Sequence, residues 1–259
     1  MRLAALLMTL MMALAGAATA EELTPGERVV GGGRVAIADH PWVVYLADSN
    51  GYQFCGGTLV APDKVVTAAH CAVNMTPRNA RVVVGREDKE SRQGRVVRLN
   101  EVWVHPDYVA ADRGADVAVL TLRERVPNQP LPLAGPEDDE LYAPGTEALV
   151  LGWGRTSEQG APSRYLLAAS VPVMSDEDCE AAYFQYDAGE MTCAGFPEGG
   201  IDTCQGDSGG PMVAGGKLIG VTSWGEGCAR RGKPGVYGRI ATHFDALTEQ
   251  LTGQPAGAA

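Results

Sequence analysis

One serine in this chain sits in a setting suited to chemistry rather than packing. It lies in Asp202-Thr203-Cys204-Gln205-Gly206-Asp207-Ser208-Gly209-Gly210-Pro211, a segment with no helical or strand periodicity. Glycines here can turn backbone N–H groups toward a reacting oxygen beside Ser208. Taken alone, Gly-x-Ser-Gly also describes an ordinary turn. A serine hydroxyl is a weak nucleophile at neutral pH and needs a base within hydrogen-bond reach. Among the four histidines, His40 and His105 each precede a proline in turn-like surroundings, and His243 falls in a helical segment. His70, in Thr67-Ala68-Ala69-His70-Cys71, is the best-placed base. An acid must then orient that base. Asp107 and Asp112 read as loop acids, whereas Asp116 leads directly into the apolar run Val117-Ala118-Val119-Leu120, which supplies burial.

His70, Asp116 and Ser208 in that chain order, with the ten-residue serine segment, resemble the chymotrypsin-type (trypsin-like) serine proteases. The resemblance runs from Val29 to about Leu251, and Gly227-Cys228-Ala229-Arg230 makes it most similar to secreted actinobacterial trypsins. It implies that Ser208 attacks, His70 moves the proton, and Asp116 orients the imidazole, with the Gly206 and Ser208 N–H groups as the oxyanion hole. It implies that Asp202 floors the S1 pocket and pairs with a substrate Arg or Lys. Ser223, Trp224, Gly225 and Gly235 then form the pocket wall and the strand that binds substrate backbone, with Tyr183 and Tyr237 at the border. Asp207 is expected to pair with the α-amino group of Val29 after cleavage following Arg28, which makes residues 21–28 an activation propeptide. A buried acid gains such a partner only once the chain is cut, so the pairing acts as a switch. The implied disulfides are Cys55 with Cys71, Cys179 with Cys193, and Cys204 with Cys228; spacing alone leaves the connectivity open. Two other readings remain at this point. A protease of different P1 preference is disfavoured by Asp202, and a non-catalytic binding protein of the same fold is disfavoured by the presence of His70, Ser208 and Arg28 together.

The frame that positions these residues is expected to be all-β. Apolar or alternating runs at 42–47, 57–60, 81–84, 96–104, 117–122, 148–151, 165–173, 216–224 and 235–239 are separated by turn signals, among 33 glycines and 16 prolines. One amphipathic helix is expected over about 240–251, with Phe244, Leu247 and Leu251 on one face. Composition allows a sandwich or a barrel. The resemblance implies two six-stranded antiparallel β-barrels, about 29–130 and 131–239, with the active site between them and the C-terminal helix closing the chain. The stretch 126–139 is the expected crossover. Residues 253–259 lack bulky side chains and form an expected frayed tail.

Arg2, an apolar run and Ala18-Thr19-Ala20 mark residues 1–20 as a signal peptide, so the product is expected to be secreted. Six cysteines agree with an oxidising compartment. The net charge of −11 argues against nucleic acid and anionic membrane as partners. Expected partners are protein or peptide substrates with Arg or Lys at P1, and proteinaceous protease inhibitors; a monomer is expected. No cofactor is called for. No zinc-ligand spacing occurs, and Glu87-Asp88-Lys89-Glu90 does not match the calcium loop of animal trypsins, so no metal is expected. Glu226 and Arg113 are expected to shape subsites beyond P1.

Overall fold

Short runs of β-branched and apolar residues closed by turn residues favour antiparallel strands over helices. The computed structural model describes residues 32–253. Seven strands come first: β1 (Gly33–Arg34), β2 (Val43–Asp48), β3 (Gln53–Ala61), β4 (Lys64–Thr67), β5 (Ala80–Val84), β6 (Arg95–Val104) and β7 (Ala118–Leu122). Six more follow: β8 (Glu147–Gly152), β9 (Leu167–Pro172), β10 (Met191–Ala194), β11 (Pro211–Ala214), β12 (Lys217–Trp224) and β13 (Gly235–Arg239). The helices are α1 (Ala69–Ala72), α2 (Asp176–Ala182) and α3 (Phe244–Thr252).

Strands β2 to β7 close into a six-stranded antiparallel barrel in the order β2-β3-β4-β7-β6-β5. Val44, Leu46, Leu59, Val66, Val82 and Leu120 are completely buried in this half. The second half is a seven-stranded sheet, β1-β9-β8-β11-β12-β13-β10, rather than an independent closed ring of six. Its extra strand, β1, adds two residues to the edge of β9. The remaining six strands nearly close on themselves. Val173 and Ala194 form one antiparallel bridge, flanked by Met174 N–H to Cys193 O at 2.9 Å and Gly195 N–H to Pro172 O at 3.0 Å. Pro172 cannot donate to a ladder and α2 starts four residues later, so closure stays that narrow.

The crossover leaves the first barrel through Leu131 N–H to Leu59 O at 2.9 Å. It joins the second sheet through Ala134 N–H to Leu218 O, also at 2.9 Å. Helix α3 begins at Phe244, later than expected. Residues 240–243 are a turn instead, with the Ile240 N–H bonded to Ile219 O. Leu247 is buried, and Gly253, at φ 70°, takes the left-handed conformation that ends helices. Helix α2 was not anticipated, although its start carries a clear signal: the Ser175 hydroxyl accepts from Asp178 N–H at 3.1 Å, and three acids fill the first turn. Among the described residues no helix is long and apolar enough to cross a membrane.

Candidate active site

His70 lies on the single turn α1 that follows β4, and the Cys55–Cys71 disulfide ties that turn back to β3. Asp116 is 3% exposed and stands two residues before β7, the partner of β4. Both carboxylate oxygens are occupied. Oδ1 accepts the His70 backbone N–H at 2.8 Å, and Oδ2 accepts His70 Nδ1 at 2.8 Å and the Ser223 hydroxyl at 2.5 Å. A carboxylate only accepts, so Nδ1 carries the imidazole proton and Nε2 of the neutral ring is left as the base. Nε2 stands 3.6 Å from Cys71 Sγ, and among the described residues no hydrogen bond joins it to Ser208 Oγ.

Ser208 occupies the turn entering β11. Its carbonyl accepts Gly56 N–H at 2.7 Å, and Gly209 N–H donates to Thr222 O at 2.8 Å. Gly209 has φ 78°, and a Cβ there would stand 2.2 Å from Thr67 Oγ1. The serine turn therefore packs against the end of β4, immediately before α1. Gly206, at φ 100°, is held on both sides: Gln205 O accepts Arg155 N–H at 2.9 Å, and Gly206 O accepts Gln53 Nε2 at 2.8 Å. Among the described residues, the N–H groups of Gly206 and Ser208 have no hydrogen-bond partner. Two unpartnered donors at a serine turn are available to an oxyanion.

Asp207 turns inward and is 1% exposed. Gly154 N–H donates to Oδ1 at 2.7 Å and Cys204 N–H to Oδ2 at 3.0 Å. A Cβ at Gly152 or Gly154 would fall 2.0 or 2.4 Å from these oxygens, so Gly152-Trp153-Gly154 forms the cradle of the acid. Burial pushes the carboxyl up to about 6, opposed by the two N–H bonds and by the Lys89 charge. Arg28 and Val29, expected at the activation cleavage, lie outside the described residues, as do residues 1–20.

Asp202 stands in the wall of a cavity of about 140 Å³ that also reaches Ser208, Ser223, Trp224, Gly225 and Gly235. It is 5% exposed, and burial raises its pKa to about 7, against hydrogen bonds from Ala229 N–H and Thr203 N–H. Ala229 makes its bond from the left-handed region, at φ 55°, a strained position for a residue with a side chain. A Cβ at Gly235 would lie 2.5 Å from Asp202 Oδ1, whereas one at Gly225 would meet nothing nearer than 3.7 Å. Tyr183 packs edge-on against Trp224 and donates to Pro234 O, and Tyr237 is fully buried with its hydroxyl 3.5 Å from Thr203 Oγ1. Disulfide Cys204–Cys228 joins two loops beside the cavity, and Cys179–Cys193 joins α2 to β10. Glu226 pairs with Lys233 at 3.0 Å, and Arg113 closes a tight turn with Ala110.

The acids of the 87–90 loop are engaged by arginines. Glu87 takes Arg34, while Arg164 binds Asp88 through two bonds and Glu90 at 2.6 Å. The Arg164 guanidinium holds the Asp88 carboxyl well below the usual carboxylate range. Gln53 had no expected role, and Lys89 appeared only within the 87–90 stretch set against a calcium loop; the fold brings Gln53 to Gly206 O and Lys89 to Gln53 Oε1.

An acid-oriented imidazole, a serine turn with open N–H donors and a cavity lined by a buried acid, set against a six-stranded barrel and a second sheet, are features of a serine endopeptidase. The chain belongs to the trypsin family, whose model, described as Trypsin, matches residues 29–247. It is 56% identical over 223 residues to "Trypsin" of Saccharopolyspora erythraea, covering 86% of this chain and 98% of that protein. It is 40% identical to "Trypsin 5G1" of Aedes aegypti, covering 86% and 84% of the two chains. It is 38% identical to "Trypsin eta" of Drosophila erecta, covering 88% and 91%.

Proposed function

We propose that this serine protease is secreted, cleaves peptide bonds on the C-terminal side of Arg and Lys, and is made as a zymogen activated by cleavage after Arg28. The observation that carries the specificity is a buried Asp202, with no cation paired to it among the described residues, in a cavity that Ser208 also lines. A substrate guanidinium or ammonium entering that cavity supplies the missing countercharge, and a neutral side chain leaves the acid unpaired.

In the reaction, Ser208 Oγ attacks the scissile carbonyl carbon as His70 Nε2 takes its proton. The charge that develops on the carbonyl oxygen is met by the N–H groups of Gly206 and Ser208. Collapse breaks the C–N bond, the leaving amine takes the proton from His70, and an acyl-Ser208 ester remains. Water, deprotonated by His70, then releases the acid and restores Ser208. Asp116 keeps the imidazole in one tautomer and stabilises its cationic form. Val29, freed by cleavage, is assigned to pair through its α-amino group with Asp207, and the raised Asp207 carboxyl supports a site that lacks a full countercharge before cleavage.

The direct test is covalent labelling of Arg28-cleaved protein with a fluorophosphonate. The proposal expects one adduct per chain on the peptide containing Ser208, absent in Ser208→Ala and much slower in His70→Ala. Absence of any adduct on the cleaved protein would overturn the assignment and favour a binding protein on this fold.

A further inference from the structure

The Gly206 N–H lies in the plane of the Gln205–Gly206 peptide, and the plane that follows sets how Gly206 sits between its neighbours. In the trans peptide between Gln205 and Gly206 the C=O and N–H point opposite ways. Arg155 N–H, by holding Gln205 O at 2.9 Å, turns the Gly206 N–H away from itself. The following plane is held at both ends: Gln53 Nε2 donates to Gly206 O at 2.8 Å, and Asp207 N–H donates to Cys204 O at 3.0 Å. Glycine at φ 100° has no side chain to restrict it, so these hydrogen bonds hold the turn.

Gln53 can perform its part only with the amide one way round. A primary amide presents a donor on one side and an acceptor on the other, and rotation by half a turn would set Oε1 against Gly206 O. Lys89 prevents that rotation. Its ammonium has donors only, and it donates to Gln53 Oε1 at 2.8 Å and faces Trp153 O at 3.4 Å. Lys89 is itself carried inward by the 87–90 loop, which Arg34 and Arg164 clamp from outside. Burial lowers the Lys89 pKa to about 8, opposed by the Asp207 charge, so the ammonium form prevails below that pH.

We infer that Lys89 is a positioning residue for the oxyanion hole, acting through the orientation of the Gln53 amide on the Gly206 carbonyl. The inference rests on the serine-protease reading above and adds to it a residue 36 positions from Gln53 and in no recognised motif.

The test compares wild type, Lys89→Met, Lys89→Arg and Gln53→Leu, each as Arg28-cleaved protein, on one P1-Arg peptide amide. Lys89→Met is expected to lower kcat by about tenfold with KM within about twofold, because the lost interaction matters when the oxyanion forms. Its affinity for a peptidyl trifluoromethyl ketone, which forms a hemiketal oxyanion, should fall in parallel. Its affinity for benzamidine, which reads only the Asp202 cavity and reports correct folding, should not change. Lys89→Arg keeps a donor facing Oε1 and should recover most of kcat. The double variant Lys89→Met/Gln53→Leu should be no worse than Gln53→Leu alone. Wild-type kcat in Lys89→Met, equal losses for the ketone and benzamidine, or additive losses in the double variant would overturn the inference while leaving the protease reading intact. A wild-type protein that turns over no amide or ester substrate would overturn the parent reading and this one with it.

Discussion

Replacing Asp202 by asparagine removes one charge from the floor of the cavity and changes almost no volume. Burial raises this carboxyl from 3.8 to about 7. At ~1.4 kcal/mol per pH unit, ionising it in the empty cavity costs about 4 kcal/mol more than in water. A seated guanidinium offsets that cost, and leaving one member of such a buried pair without its partner costs about 3–5 kcal/mol. Asp202→Asn should therefore lower kcat/KM on a P1-Arg substrate by roughly 10²- to 10⁴-fold, using 1.4 kcal/mol per factor of ten. A matched substrate with citrulline at P1 has nearly the same shape and no charge. Its turnover should stay within about tenfold of wild type or improve, because no unpaired carboxylate opposes it. The assay is kcat/KM for both peptide amides on both proteins at pH 8. A variant that keeps a strong preference for Arg over citrulline would refute the reasoning, since the selecting charge would then lie elsewhere.

Three further outcomes follow from the same geometry. Because a cation pairs only with ionised Asp202, benzamidine affinity should be full above about pH 7 and fall toward tenfold per pH unit below it, and Asp202→Asn should lose that dependence; pH-independent inhibition of the wild type would contradict this. Gly235→Ala puts a methyl group where 2.5 Å separates the built Cβ from Asp202 Oδ1, so benzamidine affinity and P1-Arg turnover should fall by at least about tenfold, whereas Gly225→Ala, whose Cβ meets nothing nearer than 3.7 Å, should bind nearer to wild type. His243 is 4% exposed, faces Glu190 Oε2 at 3.3 Å, and is lowered by burial from 6.5 to about 4. A depressed histidine contributes stability above its unfolded value that is lost as pH falls through its folded one, so Tm should drop between about pH 6.5 and 4, and His243→Gln should flatten part of that slope; identical slopes would remove His243 as a cause.

What the sequence made readable was local. Ser208, with its glycines, needs consecutive residues in one turn, His70 follows the apolar strand β4 and Asp116 precedes β7, so motif and neighbouring hydrophobicity point to them together. The strands of the first barrel follow from runs such as 117–122, because a barrel interior demands apolar residues at alternate positions. The four-residue strands β4, β10 and β11 were missed, since so short a run carries too little periodicity to stand out from its turns. The narrow closure at Val173 and Ala194 depends on where β9 is stopped by Pro172, which no pattern elsewhere announces. The contacts of Gln53 and Lys89 were illegible for a related reason. The Gln53–Gly206 contact spans 153 residues, and an amide or a lysine on a surface-like loop has the same local signature whether or not the fold carries it inward. Helix α2 is different: its Ser175 cap and acidic first turn were available to be read.

The most direct test of the central claim is kcat/KM of the Arg28-cleaved protein on matched peptide amides ending in Arg, Lys, Phe and Ala, with Ser208→Ala as the control. The account predicts turnover for Arg and Lys at least about a hundredfold above Phe and Ala, abolished in the control. Turnover led by Phe or Ala, or equal across the four, would contradict the assignment of Asp202, and turnover surviving in Ser208→Ala would contradict the nucleophile.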